Sequence, residues 1–141
     1  MATTSKKVFI ATSAFLAFLD RAHPKHVQAA AYFQYFAQEK YQLYTGYLNL
    51  VETHSEISEK ISSSFARDFL NAINLGSINV LYPEPGDMKV ALKTLINYRS
   101  TDLTFKEAQM TVMASRKSIN QICTFDYLHS LFGLTTFYLP I

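Results

Sequence analysis

Apolar positions along the chain follow two alternating patterns. Val8-Phe9-Ile10 is a short run of β-branched and aromatic residues without polar alternation, as expected of a strand buried on both faces. Residues 42–45, 78–81, 122–124 and 136–139 are further short strand candidates. Gly46 closes the first of these and Pro83-Glu84-Pro85-Gly86 follows the second. Between them lie longer stretches with apolar residues near a 3.6 period. Residues 25–39 carry Ala29, Tyr32, Phe33, Phe36 and Ala37 on one face, and 48–63 carry Leu48, Val51, Ile57 and Ile61. Residues 88–99 and 105–116 repeat the pattern. A short helix through Leu19 is expected with Thr12 or Ser13 as its cap, and His23-Pro24 then makes a turn. Ser62-Ser63-Ser64 breaks the helix at 48–63 from one at 65–75, which Asn74 and Gly76 stop, and 127–132 reads as a short helix ended by Gly133. Strands alternating with helices over 1–141 predict a single α/β domain, a short central parallel sheet flanked by helices. Ligands of such sheets bind beyond the carboxyl ends of the strands. Chemistry is therefore expected just after Ile10, Thr45, Leu81 and Thr124.

Composition narrows the classes. With 141 residues, 49% of them hydrophobic and 17% charged, the chain is long and apolar enough for one sizeable core and is not a disordered chain. A net charge of +2 excludes a histone-like nucleic-acid coat, and one cysteine, Cys123, excludes an intramolecular disulfide. Its apolar strand setting favours a buried, inert thiol. Lys6-Lys7 followed by the apolar residues 8–19 imitates a secretory signal, but that run is shorter than the roughly 20 residues needed to cross a bilayer. Thr12 and Ser13 interrupt it, and Asp20-Arg21 stand where a small-residue cleavage site belongs. A cytoplasmic protein without a membrane segment is the expectation.

Three carboxylates lie near the expected strand ends: Glu52, Glu107 and Asp126. Acidic groups that converge repel one another unless they share a cation, and an all-oxygen set suits Mg²⁺ or Mn²⁺. The matching chemistry is metal-assisted phosphodiester hydrolysis. Each residue also has a local structural role open to it. Asn49-x-x-Glu52 and Thr104-x-x-Glu107 have the spacing of a helix capping box, and Asp126 is placed to cap the helix expected after it.

The segment Val8-Phe9-Ile10-Ala11-Thr12-Ser13-Ala14-Phe15-Leu16-Ala17-Phe18-Leu19-Asp20 resembles the opening of PIN domains of the VapC toxin type. Further landmarks of that family follow in order: Asn49-Leu50-Val51-Glu52-Thr53, Leu103-Thr104-Phe105-Lys106-Glu107-Ala108, and Thr124-Phe125-Asp126. The ending, Phe132-Gly133 through Tyr138-Leu139-Pro140, is also similar. The resemblance spans nearly the whole chain. It implies a PIN-like three-layer fold and an Mg²⁺- or Mn²⁺-dependent endoribonuclease, with Glu52, Glu107 and Asp126 as catalytic metal ligands and Thr12 and Ser13 in support. It also implies an RNA substrate, a cognate antitoxin and a homodimer.

Two positions depart from the family. Its first metal ligand is an aspartate directly before Thr-Ser, and here that position is Ala11. Its usual aspartate in the third landmark is Glu107. The second change keeps a carboxylate. The first removes one, so the chain is expected to be impaired or inactive, whether by natural loss or by a deliberate aspartate-to-alanine exchange. A non-catalytic PIN-fold module that binds RNA or a protein is the alternative.

The remaining candidates are weaker. His23 and His26 flank Pro24 and lack further ligands at zinc spacing, while His54 and His129 stand isolated. The aromatic band Tyr32, Phe33, Tyr35 and Phe36 suits core or dimer packing better than base stacking. Basic residues Lys89, Lys93, Arg99, Lys106, Arg116 and Lys117 gather in the second half. Of these, Lys106, Arg116 and Lys117 are the candidates for tracking RNA phosphates beside Glu107.

Overall fold

A computed structural model describes residues 6–99 and 102–140. Its elements are β1 (Lys7–Ile10), α1 (Thr12–Leu19), α2 (His26–Gln38), β2 (Gln42–Gly46), α3 (Tyr47–Lys60), α4 (Ser63–Asn74), β3 (Asn79–Leu81), α5 (Pro85–Asn97), α6 (Phe105–Arg116), β4 (Gln121–Cys123) and β5 (Thr135–Thr136). The strands form one parallel sheet in the order β3-β2-β1-β4-β5. The expected α/β class and the alternation of strands and helices are both observed. No helix among the described residues is long and apolar enough to cross a membrane.

The central strand explains its own sequence. Val8 and Ile10 point into a cluster with Phe15, Tyr32, Phe36 and Phe137, while Phe9 points the other way toward Met113, Ile122 and Leu134. All three residues of the run are fully buried, so no polar side chain is tolerated on either face. The aromatic band of α2 belongs to this packing. Tyr32 and Phe36 are buried, with ring centroids 5.2 Å and 4.7 Å from that of Phe137. Cys123 is fully buried in β4, where burial pushes its thiol up to about 12.

Three local expectations are corrected. Residues 127–132 form no helix: Phe132 and Gly133 both take left-handed backbone, at φ 53° and 75°. The His129 N–H is spent on a Glu107 side-chain oxygen rather than a helical carbonyl. So short a segment has little helical stability of its own to set against those contacts. The final strand is Thr135–Thr136 rather than 136–139; it pairs Thr136 with Ile122, and the Phe137 N–H still reaches the Ile122 carbonyl at 2.8 Å. Finally, neither Thr12 nor Ser13 caps α1. Ala11 holds the cap position without a side-chain bond, and both hydroxyls are directed elsewhere.

A charged clamp ties α5 to α6. Asp87 accepts the Glu84 N–H at 2.8 Å, closing a capping box at the start of α5, and also accepts Arg116 Nε at 2.9 Å and 3.1 Å. Arg116 further donates to the Tyr82 carbonyl at 3.3 Å. Burial pushes the Asp87 carboxyl up. The Arg116 hydrogen bond, the Glu84 N–H and the Arg116 charge outweigh it and hold the carboxyl below its usual range. A depressed carboxylate contributes stability that is present above its unfolded value, about pH 4, and is lost as pH falls through the folded one. Asp87→Asn is therefore expected to be less stable at neutral pH and to lose less stability than the parent on acidification. Urea midpoints on either side of about pH 4 check this. Parallel acid curves for the two proteins contradict it.

Candidate active site

The strand order reverses direction between β1 and β4, and a cleft opens where both strands end. β1 delivers Ala11 to its floor, with only 4% of the residue exposed. β4 delivers the loop Thr124-Phe125-Asp126. The amino-terminal turns of α3 and α6 supply Asn49 and Glu52, and Lys106 and Glu107. One hollow of about 210 Å³ is lined by Ala11, Thr12, Asn49, Lys106, Glu107 and Asp126, among others. A second, of about 300 Å³, carries Glu52 and Ser13 and shares Thr12, Lys106 and Asp126 with the first.

Hydroxyl groups hold the frame. Ser13 Oγ accepts the Phe125 N–H at 2.9 Å and lies 3.1 Å from Thr124 Oγ1, which itself accepts the Asp126 N–H at 3.1 Å. Ser13 thus joins the start of α1 to the loop that presents Asp126. Thr12 Oγ1 accepts from Asn49 Nδ2 at 3.1 Å, tying α1 to α3. Gly46 lets β2 turn into α3 at close quarters: a β-carbon there would stand 2.9 Å from Asn49 Oδ1 and 3.2 Å from Phe9 Cζ.

Neither capping box is complete, each for its own reason. α3 starts at Tyr47 with Gly46 as its cap, so Asn49 lies inside the helix and is buried. Thr104 does cap α6, accepting the Glu107 N–H at 3.1 Å, but the Glu107 carboxylate does not reach back. It accepts the His129 N–H at 2.7 Å, and His129 Nδ1 lies 2.8 Å and 2.9 Å from its two oxygens. Both residues are buried, at 8% and 5% exposure. Asp126 has no helix to cap and is exposed.

Glu52 is paired as well. Lys106 Nζ donates to Glu52 Oε1 at 2.7 Å, each side chain being more than a third exposed. Burial pushes the Glu52 carboxyl up, but hydrogen bonds from Lys106 and Thr12, with the Lys106 charge, outweigh it and hold the carboxyl below its usual range.

The structure therefore brings Ala11, Thr12, Ser13, Glu52, Lys106, Glu107 and Asp126 to one region. It does not bring Arg116 or Lys117 there. Arg116 sits in the clamp on Asp87, and Lys117 caps the far end of α6, about 16 Å of helix from Lys106. Sequence reasoning missed His129 and Asn49. The buried stripe Asn49, Thr53, Ile57 at helical spacing is the signal that places Asn49 on the inner face. No local signal pairs His129 with Glu107, 22 residues away.

The donor types suit a hard divalent cation, but their arrangement does not. The Ala11 methyl offers no ligand, Glu52 is engaged by an ammonium, and Glu107 by an imidazole and an N–H. Among the described residues no group of three acidic, histidine or cysteine side chains is gathered as a metal cage.

No family model and no curated protein sequence matches this chain. Solved structures do. The sarcin-ricin loop cleaving toxin VapC20 of Mycobacterium tuberculosis superposes with a TM-score of 0.73 at 21% identity, covering 84% of this chain and 89% of that one. VapBC2 of Rickettsia felis, bound to a DNA fragment from its promoter, matches with a TM-score of 0.64 at 11% identity over 85% and 88% of the two chains. Five parallel strands, the helices on both faces and these likenesses agree: the chain has the PIN-domain fold of the VapC type.

Proposed function

We propose that this chain is a VapC-type PIN endoribonuclease, the toxin of a toxin–antitoxin pair, disabled by alanine at position 11. The observation that carries the reading is one cleft at the strand ends that holds Glu107 and Asp126, with Glu52 beside it, around a methyl group where the family has its first ligand. Its substrate class is RNA, its partners a cognate antitoxin and a second copy of the chain, and Mg²⁺ or Mn²⁺ is the cofactor class that a form with aspartate at position 11 would take. The VapBC2 likeness supports an antitoxin partner.

The non-catalytic module is favoured by a different observation: Glu52 and Glu107 already have protein partners and need no metal for charge balance. Cleavage of a mixed panel of structured RNAs at saturating Mn²⁺, by this chain and by Ala11→Asp, separates the two. Cleavage is expected only from Ala11→Asp, and only without a chelator. Silence from both, with Ala11→Asp folded by circular dichroism, supports the binding module. Cleavage that survives chelation rejects the metal-dependent reading.

A further inference from the structure

We infer that Lys106 is a built-in counter-cation of the cleft, an ammonium that holds Glu52 in the role a divalent ion would take and competes with that ion. The inference rests on the reading of Glu52, Glu107 and Asp126 as a ligand set and adds a determinant that neither the strand-end placement nor the loss at Ala11 supplies.

Three observations place it. Lys106 lines both hollows of the cleft, as Asp126 does. Its Nζ lies 2.7 Å from Glu52 Oε1, a charge-assisted contact that already neutralises the carboxylate a divalent ion would need. It is fixed at the first turn of α6 next to Glu107, and the Thr104 cap anchors that turn. The Glu52–Lys106 pair is partly exposed, and such pairs are individually weak. Competition therefore comes from two costs: giving up the Glu52–Lys106 pairing, and bringing a doubly charged ion into a cleft that already holds an ammonium. The consequence is that restoring aspartate at position 11 supplies a ligand but leaves an obstacle in place. Residue 106, rather than residue 11 alone, then sets how tightly the cleft holds a metal.

The test measures Mn²⁺ binding, by electron paramagnetic resonance of free Mn²⁺ and by calorimetry, without RNA. The proteins are this chain, Ala11→Asp, and each combined with Lys106→Met or Lys106→Arg. Lys106→Met in the Ala11→Asp background is expected to tighten Mn²⁺ binding about tenfold, while Lys106→Arg leaves it weak. Should aspartate at the buried position 11 prevent folding, the same ordering is read in the Ala11 background, where Lys106→Met alone raises affinity over the parent. Equal affinity of Ala11→Asp with and without Lys106→Met overturns the role of Lys106 and leaves the nuclease reading standing. No Mn²⁺ binding by any folded variant overturns both.

Discussion

Asp126→Asn, introduced into the Ala11→Asp protein, is expected to cut RNA cleavage by about a hundredfold or more and to leave the fold unchanged. A metal that neutralises charge at a scissile phosphate supplies several kcal/mol, and each 1.36 kcal/mol is a factor of ten in rate. On the proposed reading Asp126 would be one of that ion's anionic ligands, and its removal would forfeit much of that. Asp126 is the position where the effect on chemistry is cleanest. Its side chain is exposed, while its place in the loop is set by the backbone N–H bonded to Thr124 and by the Ser13 bond to Phe125. The amide variant thus keeps every contact that positions residue 126, and its stability should match the parent within about 0.5 kcal/mol. Glu107→Gln lacks that property, because both Glu107 oxygens are buried against His129 and the change disturbs structure and site together. Initial rates with Mn²⁺, paired with urea melts, measure the split. Undiminished cleavage by the Asp126→Asn protein would remove Asp126 from the ligand set.

The largest effect on stability is expected at the far side of the sheet. Phe36→Ala should cost about 3–5 kcal/mol, a large share of the 5–15 kcal/mol by which domains of this kind are stable. Phe36 is 1% exposed, and its ring meets those of Phe137 at 4.7 Å, Tyr41 at 5.1 Å and Phe33 at 6.1 Å. Truncation leaves a cavity among rigid aromatic neighbours that cannot collapse to fill it. Val27 is on the same helix but 78% exposed, and Val27→Ala should fall within about 0.5 kcal/mol of the parent. The two urea midpoints, at equal slope, are the comparison to make. Similar midpoints would mean that α2 contributes little to the cooperative core.

Most of the fold was legible because its signals are local. A fully buried parallel strand demands apolar side chains on both faces, and Val8-Phe9-Ile10 meets that demand. An amphipathic helix carries its own period, so α2, α3, α5 and α6 were placed to within a few residues. The 127–132 segment shows where that logic stops. Its composition permits a short helix, yet the backbone turns left-handed at Phe132 and Gly133 and gives the His129 N–H to a carboxylate from another element.

The sequence by itself determined the α/β alternation, the buried central strand, the inert cysteine and the presence of Glu52, Glu107 and Asp126 near strand ends. Each follows from residue type and spacing along the chain. Only the tertiary structure decided what those carboxylates touch. Lys106 meets Glu52 across 54 residues of sequence, and His129 meets Glu107 across 22, because α3, α6 and the loop after β4 converge at the carboxyl ends of the central strands. It also decided that Arg116 serves Asp87 rather than the cleft. Partners separated this far are chosen by packing, and no period or motif along the chain encodes that choice.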